Sequence, residues 1–194
     1  MNQQVFILMG MSGCGKGTQG KLLTDHIGGE TLYVQTGAEI REFIKGDSYT
    51  QRLTAAAYDE GGLMPEFVTI AMWSNLLSRK YTGKQHLIID GTPRKIHEAG
   101  TLHSAVEFYK LPKPYVIHFK MNKEEALKRL ILRKRQDDNE EDIRARLDWY
   151  DTHVLPTVEF YRHNPHYSFV EIDANQTVEK VFADILQQID GHQN

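Results

Sequence analysis

A short apolar run, Val5 to Met9, leads directly into Gly10-Met11-Ser12-Gly13-Cys14-Gly15-Lys16 and then into a segment of helical character reaching about His26. Strand, glycine-rich loop and helix in that order are the setting a phosphate-binding loop requires. Its glycines let consecutive backbone N–H groups turn inward around a phosphate. The helix N-terminus adds partial positive charge, and the lysine reaches the β and γ oxygens. A chain built around such a loop is expected to be an α/β protein with its site at the carboxyl edge of a sheet.

The rest of the sequence fits that frame. Apolar runs rich in β-branched residues recur at Leu32–Val34, His86–Ile89, Tyr115–Phe119 and Ser168–Ile172, giving strand candidates to join Val5–Met9. Helical stripes lie between and after them: Phe67, Ile70, Trp73 and Leu77, then Val178, Val181, Phe182, Ile185, Leu186 and Ile189. Strands alternating with helices imply crossover connections and a mainly parallel sheet with helices on both faces. Ala38 to Lys80 is helical in pattern with no strand, and Asn122 to Arg162 reads as two helices around the charged tract RKRQDDNEED. Both look like insertions over the carboxyl edge. Thr36-x-x-Glu39, Asn122-x-x-Glu125 and Asp138-x-x-Glu141 have the spacing of capping boxes.

With 194 residues, 40% hydrophobic and 25% charged, the chain can bury the core of one compact domain. The single cysteine, Cys14, closes no intrachain bridge and reads as a small filler within the loop, so a reducing, cytoplasmic compartment is expected. A formal net charge of −3, from 23 basic and 26 acidic residues, argues against a bulk binder of nucleic acid or anionic membrane. No basic segment precedes the first apolar run, which stops far short of a signal or membrane segment. The nine histidines are scattered, with no H-x-x-x-H pair, so no zinc site is expected.

Gly17 stands where Ser or Thr commonly reaches magnesium, and Thr18 follows one position later. This variant, Gly15-Lys16-Gly17-Thr18-Gln19, resembles the adenylate kinase family of nucleoside monophosphate kinases. Further segments are similar in order: Gln35-Thr36-Gly37-Ala38-Glu39-Ile40-Arg41 to Ser-Thr-Gly-Asp-x-x-Arg, Gly62-Leu63-Met64-Pro65-Glu66 to the Leu-Val-Pro-Asp turn, and Asp90-Gly91-Thr92-Pro93-Arg94 to Asp-Gly-Phe-Pro-Arg. Arg135 through Arg146 resembles the lid and the helix leaving it. The likeness runs from Val5 to Ile189.

It implies an α/β P-loop fold with a five-stranded parallel sheet flanked by helices, and one domain throughout. The core would be 1–36, 68–133 and 139–194, with a monophosphate-binding insertion at 37–67 and a short, metal-free lid at 134–138. It further implies transfer of the γ-phosphoryl of MgATP to AMP, giving two ADP. Catalysis would rest on Lys16, Arg94, Arg135 and Arg146, since phosphoryl transfer asks for positioning and charge neutralisation. ATP would be held by Gly13, Cys14, Gly15, Lys16, Gly17, Thr18, Arg129, Arg133 and Gln176, with Arg129 against its base. AMP would be held by Thr36, Arg41, Gly62, Leu63, Met64, Gly91, Thr92, Pro93, Arg94, Glu98, Arg135 and Arg146. Asp90 ends an apolar strand beside the loop, where a carboxylate can hold the water shell of Mg²⁺. A monomer is expected, without nucleic acid or membrane as partner.

Three departures fall on the acceptor side: Ala38 for the family's aspartate, Thr92 for its phenylalanine, and Glu98 for a glutamine that reads adenine. A carboxylate only accepts hydrogen bonds and would suit guanine's N1–H and N2–H₂. Two alternatives therefore stay open at this point: a kinase for another monophosphate, GMP first, and a nucleotide sensor without catalysis.

Overall fold

The computed structural model describes residues 3–60, 64–133 and 140–191. Strands β1 (Val5–Gly10), β2 (Thr31–Gln35), β3 (His86–Asp90), β4 (Tyr115–Lys120) and β5 (Ser168–Asp173) form one parallel sheet in the order β2-β3-β1-β4-β5. All five strand candidates are present, each lengthened at one or both ends. β1 is central, and Val5 to Met9 are all buried, which explains its unbroken apolar run: a parallel strand covered on both faces has no polar side to show. After β2 and β3 build one side of the sheet, the chain crosses to the other side of β1. The end of β1 is thus the topological switch point where such sheets bind ligands.

Helix α1 (Lys16–Ile27) joins β1 to β2, and α2 (Thr36–Phe43), α3 (Tyr49–Asp59) and α4 (Glu66–Lys80) lie between β2 and β3. Helix α5 (Ile96–Phe108) leads to β4. Between β4 and β5 come α6 (Lys123–Arg133), α7 (Glu140–Trp149), a π-helical turn (Tyr150–Val154) and α8 (Leu155–Arg162), and α9 (Val178–Gly191) ends the described chain. Helix α1 packs with α9, while α5 packs with α4 and α8, giving a helical layer on each face. Among the described residues no helix is long and apolar enough to cross a membrane.

Three expectations need correction or refinement. Phe67 is 73% exposed. At about 100° per residue, Val68, Thr69, Trp73, Leu76 and Leu77 share the buried side of α4 and Phe67 falls opposite. The Thr36 capping box does not form, because α2 begins at Thr36 itself and Gln35 occupies the cap position without a side-chain bond. A capping box forms instead at Ser48 and Gln51, where Gln51 N donates to Ser48 Oγ at 3.3 Å and Ser48 N to Gln51 Oε1 at 2.9 Å. The second helix of the 122–162 segment runs as α7 and α8 with the π-helical turn between them. The lid at 134–138 and the Asp138 box lie outside the described residues.

Candidate active site

The loop after β1 is shaped by left-handed glycines, with φ of 88° at Gly13 and 94° at Gly15. A Cβ on Gly13 would lie 2.9 Å from the Ala126 carbonyl, so α6 closes that side of the loop, whereas a Cβ on Gly15 would meet nothing within 4 Å. The open side faces a cavity of about 1160 Å³. No side chain caps α1, whose first turn, Lys16, Gly17 and Thr18, lines this cavity. Lys16 Nζ donates to the carbonyl oxygens of Gly10 at 2.7 Å and Met11 at 2.9 Å, and lies 3.5 Å from the Cys14 sulfur. Cys14 is 2% exposed and fills the loop interior, as its size suggests.

Sheet register brings the next group to the same edge. Gln35 and Leu8 flank Asp90 on neighbouring strands. Asp90 Oδ2 accepts from Tyr33 Oη at 3.1 Å and Gln35 Nε2 at 3.3 Å, and lies 3.8 Å from where a Cβ on Gly17 would stand. Burial, and then the Asp90 charge, push the Tyr33 hydroxyl well above the usual phenol range, so it remains a donor. Among the described residues no group of three or more His, Cys, Asp or Glu could hold a metal ion by itself. A single strand-end carboxylate opposite the phosphate loop fits a hard cation whose other ligands are water and substrate phosphate.

The far wall carries Gly37, Ile40, Arg41, Tyr58 and Met64, then Gly91, Thr92, Pro93 and Arg94. Arg94 Nε donates to the Gly91 carbonyl at 2.9 Å, and its guanidinium carbon sits 5.9 Å from the centroid of the Trp149 ring. Burial lowers the Arg94 pKa, Glu98 and Asp90 oppose that, and the nearby Arg146 adds to it. The last observation puts the two expected arginines near one another. Arg129 lines the cavity from α6, with Nε 2.9 Å from Glu125 Oε1, and Gln176 lines it while donating to the Asp173 carbonyl and Asp184.

Of the expected site residues, Gly13, Cys14, Gly15, Lys16, Gly17, Thr18, Arg41, Met64, Asp90, Gly91, Thr92, Pro93, Arg94, Arg129, Arg146 and Gln176 all line one cavity. Gly62, Leu63, Arg135 and the side chain of Arg133 lie outside the described residues. Thr36 is 1% exposed, and its hydroxyl is buried without a hydrogen-bond partner beside Gly37. Glu98 departs from its expected place. It is 2% exposed, and its oxygens accept from Thr69, Thr92 and the Arg94 backbone, so the carboxylate turns into the protein rather than toward an acceptor base. Tyr33, Tyr58 and Trp149 are additions. Only Trp149 left a trace in sequence, three positions after Arg146 on the same helix.

At about 1160 Å³ the cavity exceeds the ~300–1,000 Å³ usual for one small-molecule site, which leaves room for two nucleotides. Comparison with known proteins agrees. A family model described as adenylate kinase matches residues 8–166. The adenylate kinase of Corynebacterium aurimucosum is 32% identical over 183 residues, covering 94% of this chain and 97% of that protein. Those of Chloroherpeton thalassium and Parabacteroides distasonis are each 29% identical, covering 92% and 94% of this chain and 94% and 96% of the relatives. The glycine loop, the strand-end aspartate and the facing arginines thus occur together in a chain that belongs to the adenylate kinase family.

Proposed function

We propose that the protein transfers the γ-phosphoryl group of MgATP reversibly to AMP, giving two ADP. The observation that carries this is the single cavity joining the phosphate loop on one side to Arg41 and Arg94 on the other. ATP lies on the loop side, held by Gly13 to Thr18, with Arg129 and Gln176 toward its base. AMP lies between Arg41, Met64, Thr92 and Arg94. Asp90 is the residue that would hold the water shell of magnesium bound with ATP, and that ion would supply charge neutralisation at the phosphates. The remaining work is positioning: Lys16 leaves the Gly10 and Met11 carbonyls for the transferred group, and Arg94 and Arg146 meet the charge that spreads over its equatorial oxygens. Arg133 and Arg135 join them in this scheme.

We further infer that the chain divides into a core of 1–36, 68–133 and 139–194, a monophosphate-binding insertion at 37–67 and a short lid at 134–138. The protein works as a cytoplasmic monomer in this scheme, consistent with its one buried thiol. Glu98 gave the ground for GMP, and its engagement with Thr69, Thr92 and Arg94 favours AMP by turning that carboxylate away from the acceptor. The test is initial-rate phosphorylation of AMP, GMP, CMP and UMP with MgATP. AMP should be used best, ADP should form at two per ATP consumed, and preference for another acceptor would overturn the assignment.

A further inference from the structure

Glu98 lies in the first turn of α5 and is 2% exposed, a costly place for a carboxylate unless its oxygens are satisfied. They are satisfied by three donors, one on α4 and two in the turn after β3. Oε1 accepts from the Thr69 hydroxyl on α4, and Oε2 accepts from the Thr92 hydroxyl at 3.1 Å and from the Arg94 backbone N–H at 2.6 Å. The group therefore ties the helix that follows the 37–67 segment to the turn after β3, and it fixes the main chain of the arginine that faces the acceptor. The Arg94 guanidinium is then aimed by its own bond to the Gly91 carbonyl. Every partner is a donor, which is why an acceptor-only carboxylate matches this place.

We infer that Glu98 is a positioning residue: it sets the place of Arg94 for the acceptor's phosphate and does not read the acceptor's base. This rests on the phosphoryl transfer proposed above. Glutamine can reproduce the arrangement, because one amide oxygen can serve Arg94 N and Thr92. The Thr69 hydroxyl, which also lies 3.0 Å from the Glu66 carbonyl, can donate there and accept from the amide nitrogen. Alanine reproduces none of it, and leaves two buried hydroxyls and a backbone N–H without this acceptor.

The experiment compares wild type, Glu98→Gln and Glu98→Ala for the KM of AMP, the KM of ATP, kcat and the AMP-to-GMP efficiency ratio. AMP affinity is measured separately by calorimetry, below each variant's melting temperature. Glu98→Ala should lose about ten- to a hundredfold in kcat/KM for AMP, the cost of a misplaced contact group, with the KM of ATP within about twofold. Glu98→Gln should recover most of that loss and leave the AMP-to-GMP ratio unchanged. A several-fold rise of that ratio in Glu98→Gln would make Glu98 a base reader and overturn the inference. So would an AMP efficiency in Glu98→Ala within about twofold of wild type, or an equal loss toward ATP and AMP. Should Glu98→Ala not fold, Thr69→Val removes the tie from α4, which lies outside the cavity lining, and the same acceptor-selective loss in smaller measure is required of it. Failure of wild type to phosphorylate AMP would instead refute the proposed activity. The calorimetric comparison of AMP affinity would still decide the role of Glu98.

Discussion

The ammonium of Lys16 donates to the Gly10 carbonyl at 2.7 Å, so the phosphate loop holds its own cation against the end of β1. Drawing it onto a phosphate exchanges two carbonyl contacts for a charge-assisted bond whose strength grows as the transferred group develops charge. Lys16→Met should therefore retain measurable ATP affinity and lose ~3–4 kcal/mol of transition-state stabilisation, about a hundredfold or more in kcat. Separate determination of ATP affinity and turnover checks this. Turnover within a few-fold of wild type would remove Lys16 from the catalytic group.

Arg94 and Trp149 meet at 5.9 Å across the cavity, whereas Trp73, the other tryptophan, is buried in the core. AMP drawn onto Arg94 changes the charge next to the Trp149 ring. Tryptophan emission should respond to AMP in Trp73→Phe and stay silent in Trp149→Phe. The ring's attraction for the guanidinium, ~0.5–2 kcal/mol, should appear in Trp149→Ala as a rise of about two- to thirtyfold in the KM of AMP. An equal response in Trp149→Phe would break the link.

Gly20 is needed for space. A Cβ there would lie 2.7 Å from Tyr33 Cε2 and still nearer its hydroxyl, and that ring carries the hydrogen bond to Asp90. Gly20→Ala should push Tyr33 off Asp90 and destabilise the fold by ~1–3 kcal/mol through overpacking. Tyr33→Phe removes the most crowded atom, so the double variant should recover part of the melting temperature lost by Gly20→Ala. Strictly additive losses would refute the contact.

His118 gives stability a pH dependence of known sign. It is 4% exposed, with Nδ1 3.1 Å from Glu171 Oε2 and Nε2 2.8 Å from the Tyr150 hydroxyl. A neutral ring donating from Nδ1 to Glu171 and accepting at Nε2 from Tyr150 satisfies both. Burial lowers its pKa, opposed by Glu171 and assisted by Arg162, with Glu159 adding a smaller opposing charge. The unfolded chain thus binds this proton more readily. The stability His118 contributes is fully present above the unfolded value of about 6.5 and is lost as pH falls through the lower folded value. Glu171 adds to the same trend at lower pH: the Arg162 hydrogen bond, partly opposed by burial, holds its carboxyl below the usual range. Its share is present above the unfolded carboxylate value of about 4.3 and is lost as pH falls through the folded one. Melting temperature should fall with pH below about 6.5 in wild type. His118→Asn should fall less steeply there, and an identical slope would show that His118 takes no part.

The five strands, the loop and Asp90 were legible because local chemistry decides them: a buried parallel strand is apolar throughout, and the loop's glycines serve its own backbone. Glu98 was not. Its direction is set by Thr69, 29 positions away on another helix, which no local pattern encodes. Phe67 misled for a similar reason, since the buried side of α4 is chosen by what packs on it, and Thr36 is drawn inside α2 rather than capping it. The π-helical turn at Tyr150–Val154 has no signature in residue spacing either. Tyr150, its first residue, shares a hydrogen bond with His118 on β4.

The most direct measurement follows the phosphoryl group itself. The purified protein is incubated with magnesium, AMP and ATP labelled at the γ-phosphate, and the nucleotides are separated. The label should appear in the β-phosphate of ADP, made from AMP one for one with ATP lost, and Lys16→Met should suppress it. Label released only as inorganic phosphate, or retained in ATP while both nucleotides bind, would contradict phosphoryl transfer between the two halves of this cavity.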